Sequence, residues 1–517
     1  MTRHGFHGWP GEGRSFPARP SFQTARKTDR MNIVTGTPSS SGVPAQYNLR
    51  YIWAISLVAA MGGLLFGYDW VVIGGAKPFF QPFFGIARDG LVNGVPGIEV
   101  NETVSGWANS CALLGCLLGS MVSGALSDRF GRKILLLISA LIFAVSSVLT
   151  GWAATFQLFV IWRILGGVAI GMASNLSPMY IAEVAPAHMR GRLVAINQLT
   201  IVIGVLAAQV VNMFIAQKMP ADTTAEMIRQ SWNGQYGWRW MFTAVTVPSL
   251  IFFVGALLVP ESPRWLVKNG KSQKALGILA RIGGQAHAEK EVNDIQNTLA
   301  SEEVQHVRFG DLLDPRMLKI LCIGCFLAIL QQWSGINVIF NYAEEIFKQA
   351  GYNVSDVLFQ IVITGLVNLI CTFIAIKTVD HFGRRILMLV GCAGICLFHF
   401  FIGLSYSLGF KGLGVVIPVL ATIGCYAFSL APITWVLISE IFPNRIRGAA
   451  VSVAVGALWI ACFVLTYTFP VLNKNLGAAG TFWLYSAICA AGFVFIHLFV
   501  PETKGKTLEQ IEKELVG

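Results

Sequence analysis

Long uninterrupted runs of apolar residues, separated by short polar loops, dominate the chain. Each run has roughly the 20 residues that an α-helix needs to cross a bilayer. The pattern therefore predicts an all-α polytopic membrane protein with twelve transmembrane helices. The predicted spans lie near residues 51–75, 104–126, 134–153, 156–180, 193–217, 239–259, 317–342, 357–377, 386–407, 413–438, 449–470 and 480–500.

Three motifs occur twice in the same order, each after the corresponding span of a set of six. This repetition predicts two pseudo-symmetric six-helix halves of the same orientation, a plan in which a substrate site lies near mid-membrane between the halves. Segment 127–133 recurs as 379–385, segment 183–191 as 440–448, and Pro260-Glu261-Ser262 as Pro501-Glu502-Thr503.

The repeat divides the chain into segments. Residues 47–260 are predicted as the N-terminal six-helix half and 317–500 as the C-terminal half. The polar, charged residues 261–316 between them are predicted as a cytoplasmic linker with short helices. Residues 1–46 are expected to be a disordered N-terminal segment, with Met31 as the hypothesised true start, and 501–517 a cytoplasmic tail.

Composition and charge agree with a membrane protein. Of the 517 residues, 54% are hydrophobic and 13% are charged, and the mean hydropathy is +0.62, outside the usual range of soluble proteins. The net charge of +11 could indicate a protein that binds nucleic acid. However, the basic residues follow even-numbered spans, as expected of cytoplasmic loops. We therefore expect both termini in the cytoplasm and no nucleic-acid partner. These residues are Arg129, Arg132, Lys133, Arg190, Arg192, Arg264, Lys268, Arg384, Arg385, Arg445, Arg447, Lys504 and Lys506.

Two ionisable residues interrupt apolar spans. Asp69 lies in the first span and Arg163 in the fourth. A charge at membrane depth is costly and is usually functional. The alternative for Asp69 is a position at the helix end, where its carboxylate reaches water.

Six motif segments in fixed order carry a family resemblance over roughly residues 47–512. The chain resembles the sugar porters of the major facilitator superfamily and is particularly similar to bacterial proton-coupled xylose transporters, which implies the major facilitator fold. The motifs are Gly62-Gly63-Leu64-Leu65-Phe66-Gly67-Tyr68-Asp69, the two Asp-x-x-Gly-Arg-basic loops, Pro260-Glu261-Ser262-Pro263-Arg264-Trp265-Leu266, Gln331-Gln332-Trp333-Ser334-Gly335-Ile336-Asn337 and Pro501-Glu502-Thr503-Lys504-Gly505-Lys506.

A sugar site needs amides that both donate and accept hydrogen bonds, beside aromatic rings that cover C–H surfaces. The seventh span offers Gln331, Gln332 and Asn337, and Ser334-Gly335 can loosen that helix. Buried amides also serve as interhelical hydrogen-bonding groups, and this alternative stays open. The resemblance adds Gln198 and Trp435 as sugar contacts and Phe66 and Trp459 as aromatic walls.

The chain departs from the xylose transporters at several pocket positions. Val205 and Leu458 stand where those transporters have Gln, Asn341 replaces the first residue of a Tyr-Tyr pair, and Ala431 replaces a Gly. Two sugar hydrogen bonds are therefore expected to be missing. The prediction is limited to a pentose or hexose, xylose-like but not assigned to xylose.

The resemblance also implies roles for charged residues. Arg163 matches an Arg that faces the first-span Asp, and a changing distance between them could switch Asp69 between its protonated and ionised forms. A purely structural ion pair is the alternative. Cytoplasmic salt bridges between helix ends are expected to hold the outward-open state, although the same residues also set topology. They are Asp128, Arg129, Arg132, Glu183, Arg190, Asp380, Arg384, Glu440 and Arg447.

The predicted function is import of a monosaccharide by proton symport through alternating access, not an enzymatic reaction. The alternatives are a proton-independent facilitator and a non-transporting sugar sensor. An ATP-driven pump is disfavoured because Gly270-Lys271-Ser272 and Gly505-Lys506-Thr507 lack the earlier glycine of a P-loop. We expect no cofactor or metal, with the proton as coupling ion. The expected partners are the sugar, the proton and the lipid bilayer, without an obligate protein partner, and the expected location is the inner (plasma) membrane.

Overall fold

The computed structural model describes residues 47–92, 95–220, 223–303, 314–442, 447–504 and 506. The predicted N-terminal segment 1–46 and most of the predicted tail therefore lie outside the described residues. The N-terminal part contains α1 (Leu49–Phe83), β1 (Ala87–Val92), β2 (Val95–Val100), α2 (Glu102–Phe130), α3 (Arg132–Gly151), α4 (Phe156–Val184), α5 (Arg190–Ile215), α6 (Ala225–Gln230), a π-helical turn (Asn233–Gly237), α7 (Trp238–Thr243) and α8 (Thr246–Leu258).

In the described part of the chain, three helices lie between the two halves and eight follow them. The intervening helices are α9 (Pro263–Lys268), α10 (Ser272–Gly283) and α11 (Gln285–Glu303). The C-terminal part contains α12 (Pro315–Trp333), α13 (Ile336–Asn341), α14 (Ala343–Gln349), α15 (Val354–Phe382), α16 (Arg384–Ser407), α17 (Leu413–Phe428), α18 (Leu430–Ile441) and α19 (Arg447–Phe499).

Eleven helical segments of the described chain are long and apolar enough to cross a membrane. The last of them, within α19, is interrupted at Gly477, whose φ of 69° and ψ of 170° are not helical. It therefore contains two spans, so the prediction of twelve transmembrane helices is confirmed. The seventh span is built from α12 and α13, and the tenth from α17 and α18.

Glycines let helices of the N-terminal half approach to backbone contact. A Cβ atom on Gly167 of α4 would lie 1.9 Å from the carbonyl oxygen of Ala112 in α2. A Cβ on Gly115 of α2 would lie 2.0 Å from the carbonyl oxygen of Ile164. Small residues at such positions are what permits close packing of transmembrane helices.

The two halves meet along two helix pairs, α2 with α19 and α5 with α15. At one end of the bundle the contact is tight, since a Cβ on Gly106 of α2 would lie 2.4 Å from the carbonyl oxygen of Tyr467 in α19. Beside these two seams, α1 of the N-terminal half contacts α13, α14 and α15 of the C-terminal half.

The opposite end of the bundle carries the linker helices and is called the linker side. The indole of Trp265 in α9 donates to the carbonyl oxygen of Asp128 at 2.8 Å, and Lys268 pairs with the Asp128 carboxylate at 2.9 Å. Near the start of α1, the backbone N–H of Asn48 donates to the carbonyl oxygen of Ile282 in α10 at 2.8 Å. These contacts hold the linker against the N-terminal half.

An antiparallel hairpin of β1 and β2 follows α1, with Ala87 opposite Val100. The apolar pattern does not predict it, because its residues fall in a loop between spans. Its Asp89 carboxylate accepts hydrogen bonds from the backbone N–H groups of Ala225 and Glu226, at 2.6 and 3.1 Å. The hairpin thus caps the N-terminus of α6, where a negative charge is favourable.

Candidate functional site

Asp69 and Arg163 form an ion pair inside the N-terminal half. Nη1 of Arg163 on α4 donates to both carboxylate oxygens of Asp69 on α1, each at 3.0 Å. Asp69 is 4% exposed and Arg163 3%, so Asp69 does not reach water at a helix end. The guanidinium also lies 5.4 Å from the ring centroid of Phe242. Because an unpaired charge is very costly in an apolar interior, each residue makes the charge of the other tolerable.

The three predicted amides of the seventh span are joined in one chain of hydrogen bonds. Asn337 Nδ2 donates to Gln332 Oε1, and Gln332 Nε2 donates to Gln331 Oε1 at 3.3 Å. Gln331 Nε2 in turn donates to the carbonyl oxygens of Leu430 and Ala431, both at 3.2 Å. All three amides are less than 10% exposed. The chain ends at the start of α18, so it links the breaks of the seventh and tenth spans.

The break between α12 and α13 makes this arrangement possible. Gly335 has φ +84°, a left-handed conformation that glycine adopts at little cost. It turns the chain so that Gln332 and Asn337, on opposite sides of the break, come within hydrogen-bonding reach. The loosening expected from Ser334-Gly335 is therefore present.

A buried histidine forms a hydrogen bond with a backbone carbonyl oxygen at the break between α12 and α13. His399 of α16 is fully buried, and its Nε2 lies 2.7 Å from the carbonyl oxygen of Ser334. Since a carbonyl oxygen only accepts, Nε2 carries the proton and donates. No sequence motif marks His399, because the partner is a backbone atom of another helix.

Aromatic residues from both halves form a cluster that includes one residue the sequence pattern did not single out. The ring centroids of Phe66 and Trp459 lie 6.0 Å apart, and Trp70 lies 5.9 Å from Phe66 and 6.1 Å from Trp459. Trp70 follows Phe66 by one helical turn in α1, and this spacing is the signal that could have identified it. The indole nitrogen of Trp459 is buried without a hydrogen-bond partner among the described residues.

The remaining predicted sugar contacts are dispersed. Gln198 lies half-buried in α5, in the other half from the amide chain, and Trp435 of α18 is 39% exposed. The departures are all interior: Val205 and Leu458 are buried, and Asn341 is 4% exposed with an Oδ1 that has no hydrogen-bond partner among the described residues. A buried polar atom without a hydrogen-bond partner is costly, because it has lost its hydrogen bonds to water.

The predicted salt bridges of the N-terminal half converge on Arg132 at the linker side. Arg132 pairs with Glu183 at 2.9 Å and with Asp128 at 3.0 Å. Arg129 is exposed and lies over the ring of Phe130, with its guanidinium 5.2 Å from the ring centroid. Arg190 is exposed at the start of α5. The sequence interpretation assigned no role to Glu261, whose carboxylate accepts from the backbone N–H groups of Arg132 and Lys133 at 2.9 and 3.1 Å.

The C-terminal half repeats this arrangement. Arg384 pairs with Glu440 at 3.6 Å, and Glu502 accepts from the backbone N–H groups of Arg384 and Arg385 at 2.9 and 3.1 Å. Asp380 and Arg447 are the other two salt-bridge residues predicted for this half. Their side chains are outside the described part of the structure. Glu261 and Glu502 therefore act as matching caps on α3 and α16, which explains why Pro-Glu-Ser and Pro-Glu-Thr occur at equivalent places.

Comparison with known proteins agrees with the fold. Residues 55–515 match the family described as "Sugar (and other) transporter". The D-xylose-proton symporter of Escherichia coli K12 is 39% identical over 499 residues, covering 90% of this chain and 96% of that protein. The arabinose-proton symporter of Bacillus subtilis 168 is 36% identical, covering 93% of this chain and 99% of that protein.

A solved structure matches over a similar length. The inward open conformation of the xylose transporter XylE from E. coli aligns with a TM-score of 0.76 and 38% identity, covering 90% of this chain and all of that one. The predicted major facilitator fold is thereby confirmed. The chain belongs to the sugar transporter family of the major facilitator superfamily.

Proposed function

We propose that this protein imports a monosaccharide together with a proton by alternating access. The observation that carries the proposal is the buried Asp69–Arg163 pair, because a facilitator has no need of an ionisable pair in this position. The similarity to xylose-proton and arabinose-proton symporters also supports import of a monosaccharide together with a proton.

Asp69 is the proposed proton carrier. In the conformation described here its carboxylate is ion-paired, so the negative charge is compensated. If α1 and α4 shift during transport, the distance to Arg163 grows and the buried carboxylate is stable only when it binds a proton. Proton binding and the movement of the two halves are then linked, as symport requires.

The amide chain and the aromatic cluster are the proposed sugar site. Sugar hydroxyls can replace the amide-to-amide hydrogen bonds of Gln331, Gln332 and Asn337, because each amide offers both donors and an acceptor. Phe66 and Trp459 can cover the apolar faces of the ring, with Gln198 and Trp435 completing the site. The side chains of Val205 and Leu458 are buried and offer no hydrogen bonds. A pentose or hexose that makes fewer polar contacts near these two residues is therefore favoured.

The proposed setting is the inner (plasma) membrane as a multi-pass protein, with the linker side and both termini in the cytoplasm. The basic residues of the even-to-odd loops support this orientation. There, the ion pairs around Arg132 and Arg384 are proposed to hold helix ends together within each half. We propose no cofactor, no enzymatic reaction and no obligate protein partner.

Uptake into proteoliposomes tests the proposal and separates it from the facilitator alternative. Purified protein is assayed with labelled D-xylose, L-arabinose and D-glucose, with and without an imposed pH gradient. Symport predicts accumulation above equilibrium that a protonophore abolishes. Uptake that only equilibrates, whatever the gradient, identifies a facilitator. Binding without any uptake identifies a sensor.

A further inference from the structure

A second buried charge lies in α1, beyond the proposed coupling pair. Lys77 follows Asp69 by about two helical turns and is 1% exposed. A lysine buried in a transmembrane helix is very costly unless it is paired, and such residues usually serve function. Lys77 has no role in the pattern of twelve spans, in the repeats or in the proposed coupling mechanism.

The partner of Lys77 belongs to the other half of the protein. Its ammonium forms an ion pair with Glu345 of α14 and lies 4.1 Å from the ring centroid of Tyr342. The Tyr342 hydroxyl donates to the carbonyl oxygen of Thr466 in α19 at 2.7 Å, so the ring is fixed. None of the other ion pairs described above joins the two halves. Lys77 therefore connects α1, the helix of Asp69, to α14, which follows the helix of Asn337.

The surrounding contacts show that the two halves are closed at this end. One turn earlier in α1, a Cβ on Gly74 would lie 2.8 Å from the carbonyl oxygen of Phe340 in α13. The ion pair opens onto a cleft of about 420 Å³ that is lined by Gln81, Glu345 and Tyr352, among others. Glu345 is 29% exposed, so the pair lies at the boundary between water and the closed interface.

We propose that Lys77 and Glu345 form an ionic lock that holds the outer side of the transport path closed and separates in each cycle. The proposal rests on the proposed function for its orientation, with the linker side in the cytoplasm. A pair of this kind suits a reversible lock. The cost of removing both charges from water roughly offsets their attraction, and both groups regain hydration when the halves part.

A neighbouring ion pair provides a matched control. Lys348 pairs with Glu344 at 2.5 Å within α14, at the spacing i,i+4, and Lys348 is 34% exposed. This pair has the same chemistry and lies at the same end of the protein, but it does not join the two halves. The variant Lys348→Met should therefore leave the lock intact.

Accessibility of an introduced thiol measures whether the outer side opens. Ser105 near the start of α2 is 1% exposed and directly precedes Gly106, which packs against Tyr467 of the other half. Ser105→Cys is compared with the same chain without it, because the protein has ten cysteines of its own. In sealed right-side-out vesicles, a membrane-impermeant maleimide reaches the added thiol only when the outer side is open.

Lys77→Met and Glu345→Gln are each expected to raise the labelling rate at least about fivefold, the lower end of typical coupling between sites. Both should also tighten the apparent Kd for external D-xylose, since a larger fraction of the protein is then open to that side. Misfolding would not tighten binding.

Two results would overturn the lock: unchanged labelling in both single variants, or an equal increase in Lys348→Met. Two single variants are used so that a folding failure in one leaves the other informative. If the native chain does not bind D-xylose, that result counts against the proposed substrate, while labelling still decides whether the lock exists.

Discussion

Nη1 of Arg163 lies 3.0 Å from each carboxylate oxygen of Asp69, and the two residues come from helices α4 and α1 of the same half. The pair therefore does not hold the two halves together. Any change in its geometry must come from rearrangement within the N-terminal half, which makes it suited to sensing a proton rather than to gating.

Asp69→Asn is expected to abolish accumulation of sugar driven by a pH gradient, because an amide cannot carry the proton. Exchange of labelled for unlabelled sugar should remain measurable, since the amide still fits between the helices. Counterflow and gradient-driven uptake in proteoliposomes give the two readouts.

The exposed Glu226, which pairs with Arg229 at 3.5 Å, supplies the control variant Glu226→Gln. It should leave both activities unchanged. Loss of counterflow as well as accumulation in Asp69→Asn would assign Asp69 to folding or sugar binding instead of proton coupling.

Asn337→Ala is expected to weaken sugar binding by about tenfold to a hundredfold. The variant lacks the Asn337 amide that is proposed to bind a sugar hydroxyl, so the bound hydroxyl is left without that partner, at a cost of about 1–3 kcal/mol. Isothermal titration with D-xylose in detergent measures the change. Gln285→Ala, at an exposed amide of the linker, is the control. Equal affinity in both variants would argue that the amide chain is interhelical packing.

The spans and the amides were predictable because each depends on residues near one another in the sequence. Apolar length predicts α1, and the close spacing of Gln331, Gln332 and Asn337 predicts their shared location. The role of His399 was not predictable, because its partner is a carbonyl oxygen released by a break in another helix. Lys77 is visible as a charge in the sequence, but its pairing with Glu345 depends on how the two halves meet.

His399→Met is expected to lower both the thermal stability and the affinity for sugar, because the carbonyl oxygen of Ser334 loses its buried donor and the break before α13 is less well fixed. His399→Gln retains a donor and should restore part of both losses. Thermal unfolding and sugar titration of the two purified variants provide the comparison. If methionine and glutamine behave alike, the hydrogen bond does not position the site.

Gly167→Ala is expected to destabilise the protein by about 1–3 kcal/mol, the usual cost of overpacking. Its Cβ would fall 1.9 Å from the carbonyl oxygen of Ala112, so α2 and α4 must move apart. Gly124→Ala is the control on α2, because a Cβ there meets nothing within 4 Å and alanine favours the helix. Unfolding midpoints in detergent measure both variants. Because α4 carries Arg163, separation of α2 and α4 should also reduce gradient-driven uptake. A stable Gly167→Ala protein with normal uptake would contradict the close contact between these helices.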